Sequence, residues 1–135
     1  LGFWYYFYPI KFIKNMNYTN FSKSRKNAIE YICISMNVQD ITTPRQEKNG
    51  TTMLYDPISE AKYTLHTNGY IRRYTQKQFW PYSGQWVGYQ LNRTKKVFGG
   101  TERIMASADE QIVILINAIV NYRTSYLKCF NHTNY

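Results

Sequence analysis

YTLHTNGYIRRY, residues 63–74, reads as a β-hairpin. Two runs of β-branched and aromatic residues flank Asn68-Gly69, a dipeptide suited to the left-handed backbone of tight hairpins. The loop length decides which side chains share a face. A two-residue loop pairs Thr67 with Tyr70 and sets Leu65 opposite Arg72. A three-residue loop with a glycine bulge pairs His66 with Tyr70 and Leu65 with Ile71. The second register joins two aliphatic side chains on one face and is expected on burial grounds. Tyr70, Arg72 and Tyr74 then share the opposite face with Thr64 and His66.

The hairpin lies in a stretch of one chemical character. Residues 62–101 hold nine aromatic side chains, seven Lys or Arg and no acidic residue, with Glu60 and Glu102 on either side. Rings interleaved with cations suit a polyanion that has stackable faces, and nucleic acid is the expected partner. The residues expected to carry that contact are Tyr70, Arg72, Arg73, Tyr74, Lys77, Trp80, Arg93, Lys95 and Lys96. Removing Arg72 and Arg73 together is expected to abolish binding. An outer face of Tyr, Arg and Lys also keeps a sheet soluble and its edges unpaired, which is the competing reading.

Other elements follow from this centre. Upstream, Thr51 to Tyr55 reads as a strand closed by Asp56-Pro57, and Val38 to Gly50 as a loop. Before that, Ile29, Ile32, Cys33 and Met36 recur at helical period, with Ser22 or Ser24 as the cap. Lys23, Arg25 and Lys26 fall in the first turn, where cations oppose the helix dipole; they are read either as phosphate contacts or as a solvated end. Downstream, Gln76 to Gln85 is an aromatic loop. Trp86 to Arg93 is a strand with Val87, Tyr89 and Leu91 on one face, Lys95-Lys96 continue it, and Gly99-Gly100 end it. Ser107 and Glu110 then form a capping box for a long C-terminal helix. From Ile112 to Val120 that helix is apolar on every side except at Asn117. A small chain can hardly enclose such a helix alone: the sheet can cover one face and the first helix another, and self-association through Ile112, Leu115, Ile116 and Ile119, and through the aromatic N-terminal arm, is expected to cover the remainder.

The expected fold is α+β: an antiparallel sheet of three or four strands, with an N-terminal amphipathic helix and the long C-terminal helix packed on one face. Residues 1–22 form an aromatic arm, 23–128 a single domain and 129–135 a tail. The order of elements resembles the double-stranded-RNA-binding fold. That family carries a Lys-rich motif at the start of its last helix, where this chain has Asp109 and Glu110, so the resemblance covers element order alone.

Composition bounds the remaining classes. The chain has 135 residues, 44% hydrophobic and 19% charged, with a formal charge of +9, which describes a folding sequence drawn to an anionic partner. Its small, basic, Tyr- and Asn-rich character suits a phage or viral accessory protein, in the cytoplasm or within a particle. The apolar run from Leu1 to Ile10 is far shorter than a membrane span needs, and no membrane partner is expected. Cys33 and Cys129 make no disulfide framework, and His66 and His132 fit no zinc spacing, so no metal or cofactor is expected. Five Asn-x-Ser/Thr sequons, at Asn17, Asn20, Asn49, Asn92 and Asn131, are read as compositional.

No nucleophile–base or paired-carboxylate spacing points to catalysis; Asp56, Glu60 and Asp109 are the carboxylates that could approach His66. Two further classes stay open. One is an assembly subunit held by the arm and the last helix. The other is an oligomer that captures a small nucleotide-like anion, for which Arg72, Arg73, Trp80 and Tyr82 would serve.

Overall fold

The computed structural model describes residues 25–133; the aromatic arm and the expected helix caps at Ser22 and Ser24 lie outside them. Helix α1 (Arg25–Met36) leads into a short strand β1 (Gln39–Asp40) and a helix α2 (Pro44–Lys48). Strands β2 (Thr51–Asp56), β3 (Ala61–His66), β4 (Ile71–Gln76) and β5 (Trp86–Gln90) follow. A separate hairpin, β6 (Thr94–Val97) and β7 (Gly100–Arg103), precedes the last helix α3 (Ala108–Thr133).

Strands β1 to β5 form one antiparallel sheet in chain order, each paired with its neighbours. Alternation decides its two faces. Leu54, Ala61, Tyr63, Leu65 and Ile71 point to one side and are fully buried. Ile29, Ile32 and Met36 of α1 pack there with Ile112, Leu115, Ile116 and Ile119 of α3, making one core. Each such aliphatic side chain withdrawn from water contributes about 1.5–3 kcal/mol.

The central hairpin takes the three-residue register: Leu65 lies opposite Ile71, and the His66 N–H donates to the Tyr70 carbonyl at 2.9 Å. Gly69 sits at φ +104°, and a Cβ there would come within 2.9 Å of Met105, so this position needs glycine twice over.

Five features differ from the sequence reading. The sheet has five strands where three or four were expected. Within the expected loop at 38–50, Thr43 caps α2 with a complete capping box: its hydroxyl accepts from the Gln46 N–H while Gln46 Oε1 accepts from the Thr43 N–H. Lys95-Lys96 leave the sheet instead of extending β5, because Asn92 turns the chain inward. Its buried carboxamide accepts from the Ile71 N–H and donates to the Gly69 and Ile104 carbonyls. That Nδ2 uses both its hydrogens on carbonyls, so a substituent on it would break one of these bonds. Helix α3 runs on to Thr133, through most of the stretch read as a tail. Lastly, Ile112, Leu115, Ile116 and Ile119 are at most 2% exposed: the sheet and α1 cover all four, where a remainder was expected to face a partner.

A buried ion pair ties together segments distant in sequence. Arg123 of α3 is 1% exposed and grips Asp56 at the end of β2 through Nε at 2.9 Å and Nη2 at 2.7 Å. Nη2 also donates to the Met36 carbonyl, and the Ser59 hydroxyl and Ile58 N–H donate to Asp56. The pair therefore joins the sheet to both long helices.

Three phenols, Tyr63, Tyr122 and Tyr126, are raised by burial and tie stability to alkaline pH. Burial, with Asp56 close by, raises Tyr63. Partial burial and a hydrogen bond to Glu60 push Tyr126 up to about 12. Unfolded tyrosine ionises near pH 10, so above that pH the unfolded chain loses protons that the folded chain keeps. Stability is therefore full below about pH 10 and falls as pH rises toward about 12. Denaturant midpoints measured across that range are expected to fall steadily, and a flat profile would contradict this.

Candidate functional site

Among the described residues, the face of the sheet opposite α1 and α3 is left uncovered along most of its length. Register lays its side chains out in rows across the strands. Met53, Thr64, Arg72 and Gln90 form one row, and Tyr55, Lys62, Tyr74 and Gly88 the next. Thr51 and His66 lie beyond the first row, and Gln76 and Trp86 beyond the second. Rows stand about 7 Å apart along the strands. No strand residue on this face in β2 to β5 is acidic.

Several of these side chains are held in place. The Gln90 carboxamide, oriented with its oxygen toward the guanidinium, accepts from Nε and Nη2 of Arg72. Lys62 Nζ lies 4.1 Å from the centre of the Trp86 ring. Tyr74 lies across Gly88, where a Cβ would come within 2.7 Å of Cε1. Glycine at 88 thus lets the Tyr74 ring lie down on the sheet instead of standing away from it.

At the hairpin end the face deepens into a groove of about 320 Å³. Thr51, Met53, Thr64, His66, Arg72 and Tyr74 line it from the sheet, and Gln46, Asn68 and Tyr70 from the segments beyond the strand ends. The groove falls within the size range of small-molecule sites.

Of the residues expected at the contact surface, Tyr70, Arg72 and Tyr74 come together in this groove. Arg73 does not join them. It points to the helix side, with its guanidinium carbon 4.3 Å from the Tyr122 ring centre and 5.2 Å from that of Tyr89. Lys77 and Trp80 sit on the β4–β5 loop at the other end of the sheet, where Lys77 Nζ is 4.8 Å from the Tyr82 ring centre and Trp80 is 87% exposed. Arg93 pairs with Glu110 at 3.8 Å, and Lys95 with Glu102 at 3.8 Å. Lys95 and Lys96 both belong to the β6–β7 hairpin, outside the main sheet. In the first helical turn Arg25 is turned inward, and its Nη2 donates to the Leu65 carbonyl at 2.9 Å.

Tyr55, Lys62 and Trp86 were absent from the expected set and stand beside Tyr74. Strict alternation from Leu54 and Leu65 would have found Tyr55 and Lys62; Trp86 follows from the pairing of β5 with β4.

The histidine, carboxylate and thiol groups are scattered or engaged. His66 Nδ1 accepts from the Asn68 N–H at 3.0 Å, and Asp56 stands at the opposite end of its strand pairing. Burial, with Asp40 and Glu30 nearby, pushes the Cys33 thiol up to about 11, so it is protonated at neutral pH. Cys33 and Cys129 form no disulfide. Among the described residues no three His, Cys, Asp or Glu side chains gather as metal ligands, and no helix is long and apolar enough to cross a membrane.

Fold and site together define an α+β protein with one sheet face under helices and the other open, ringed and cationic. No family model matches the chain, and no curated protein or solved structure matches it either.

Proposed function

We propose that this chain is a small, basic, non-enzymatic protein that binds single-stranded or structured nucleic acid on the open face of its sheet. One observation carries the reading: Arg72 and Lys62 share an acid-free face with Tyr55, Tyr74 and Trp86, and Tyr74 lies down against Gly88. A ring lying on the sheet offers its outer surface for base stacking, at about 1–3 kcal/mol per base. The cations between the rings supply phosphate neutralisation. A flat face of this kind suits splayed bases better than a duplex groove, and no basic recognition helix is present among the described residues.

The test is fluorescence anisotropy of a labelled single strand against salt. Affinity is expected to fall linearly on logarithmic axes, with a slope near −0.7 for each phosphate neutralised, so about −1.4 for Arg72 and Lys62 together. Salt-independent binding would remove the electrostatic half of the argument.

A second reading, an assembly subunit, rests on Phe79 and Trp80, which are 84% and 87% exposed on the β4–β5 loop. It requires contacts that persist or strengthen as salt rises.

A further inference from the structure

The groove at the hairpin end is lined by the Arg72 guanidinium, by Met53 and by seven side chains that each carry a donor and an acceptor. In three of them, Gln46, Asn68 and His66, an acceptor is already taken by a backbone N–H. Gln46 Oε1 accepts from the Thr43 N–H at 2.9 Å. Asn68 Oδ1 accepts from the Tyr70 N–H at 3.3 Å, and His66 Nδ1 from the Asn68 N–H at 3.0 Å. A backbone N–H can only donate, so these bonds fix which end of each side chain is spent. What remains for a ligand is Gln46 Nε2, Asn68 Nδ2 and the protonated Nε2 of His66. Arg72 adds a fourth donor, and its guanidinium is held by Gln90. No carboxylate lines the groove.

A cavity with a guanidinium, four rotatable hydroxyls, three side chains presenting their donor ends and no carboxylate favours a ligand rich in acceptors, and an anion above all. Its floor continues directly into the Tyr74 ring. Gln46 and Asn68 come from α2 and the hairpin loop, so they wall the end of the sheet, while the side toward Tyr74 and Trp86 stays open. A strand tracking along the sheet would terminate there.

The geometry points to a site for the phosphate of a nucleotide, a terminal phosphate monoester, held by Gln46, His66, Asn68 and Arg72 with its base toward Tyr74. This deepens the nucleic-acid reading and rests on it. A strand end and a free mononucleotide present the same chemistry, and the test separates them.

Anisotropy would compare short oligothymidylates carrying a 5′-phosphate, a 3′-phosphate or only hydroxyl ends, with thymidine monophosphate as competitor. One terminal phosphate is expected to strengthen binding about tenfold, the scale of one charge-assisted hydrogen bond. Gln46→Glu and Asn68→Asp each keep the acceptor that its backbone N–H requires and replace the donor with a carboxylate oxygen. Their Tm values are expected to stay close to that of the parent, and the phosphate-to-hydroxyl affinity ratio to fall to about one. Because the ratio is read within each variant, any general loss of affinity cancels. Gln78→Glu, on the loop at the far end of the sheet, adds the same charge and is expected to preserve the ratio.

Efficient competition by thymidine monophosphate assigns the site to free nucleotides; weak competition assigns it to strand ends. Equal binding of all three oligomers overturns the groove assignment and leaves the sheet reading standing. If no oligomer binds but thymidine monophosphate does, the groove stands and the polymer reading falls. Binding of neither overturns both.

Discussion

Arg123→Ala lowers the free energy of unfolding by about 3–5 kcal/mol, a large share of the roughly 5–15 kcal/mol that holds a domain of this size. The magnitude follows from what the substitution leaves behind. Asp56 is 0% exposed, and its guanidinium partner is the only charge that compensates it there among the described residues. The Met36 carbonyl loses its donor in the same step. Asp56→Asn keeps the side-chain shape but leaves the Arg123 charge buried and unpaired, so it is expected to cost a comparable amount. Replacing both with apolar residues should recover only part of the loss, because the Ile58 N–H and Ser59 hydroxyl would lose their acceptor. Denaturant unfolding of the three variants checks this. Wild-type midpoints for either single variant would contradict it.

Arg72→Ala with Tyr74→Ala weakens single-strand binding by about 3–5 kcal/mol, two to four orders of magnitude in affinity, while leaving unfolding midpoints near those of the parent. Arg72 would lose a charge-assisted phosphate contact and Tyr74 a stacked base, and neither side chain belongs to the core. Arg73→Ala should behave in the opposite way. It removes the cation packed against Tyr89 and Tyr122 beneath the helix, so stability falls and binding on the open face is kept. Anisotropy and unfolding measured on both variants separate the two adjacent arginines. Binding lost in Arg73→Ala and kept in the double variant would place the site on the wrong face.

That contrast shows what the chain discloses before it is folded. The register around Asn68-Gly69 was legible because only one loop length pairs Leu65 with Ile71, and burial makes that pairing decisive. The same alternation puts Arg72 outside and Arg73 inside. Grouping the two by charge obscured it, since net charge says how basic a stretch is and nothing about which way a side chain points. The Thr43-Pro44-x-Gln46 cap of α2 was equally readable, as a capping box with proline at the first helical turn. Asp56 and Arg123 were not readable, because 67 residues separate them and neither carries a local signal of its partner. Asn92 hid for a related reason: an asparagine between a strand and a basic run reads as a turn residue, and only the fold shows its carboxamide replacing a strand's hydrogen bonds. The apolar girth of α3 was legible as a helix needing cover from the sheet and from α1, and those two elements bury Ile112, Leu115, Ile116 and Ile119.

The most direct test of the central claim is a chemical-shift titration of the isotopically labelled 16.1 kDa chain with a short single-stranded oligonucleotide. The account predicts saturable shifts at Met53, Thr64, Arg72, Tyr74 and Gln90, fading toward α1 and α3. Shifts confined to the helix side or to the β6–β7 hairpin, or no shifts at saturating oligonucleotide, would contradict it.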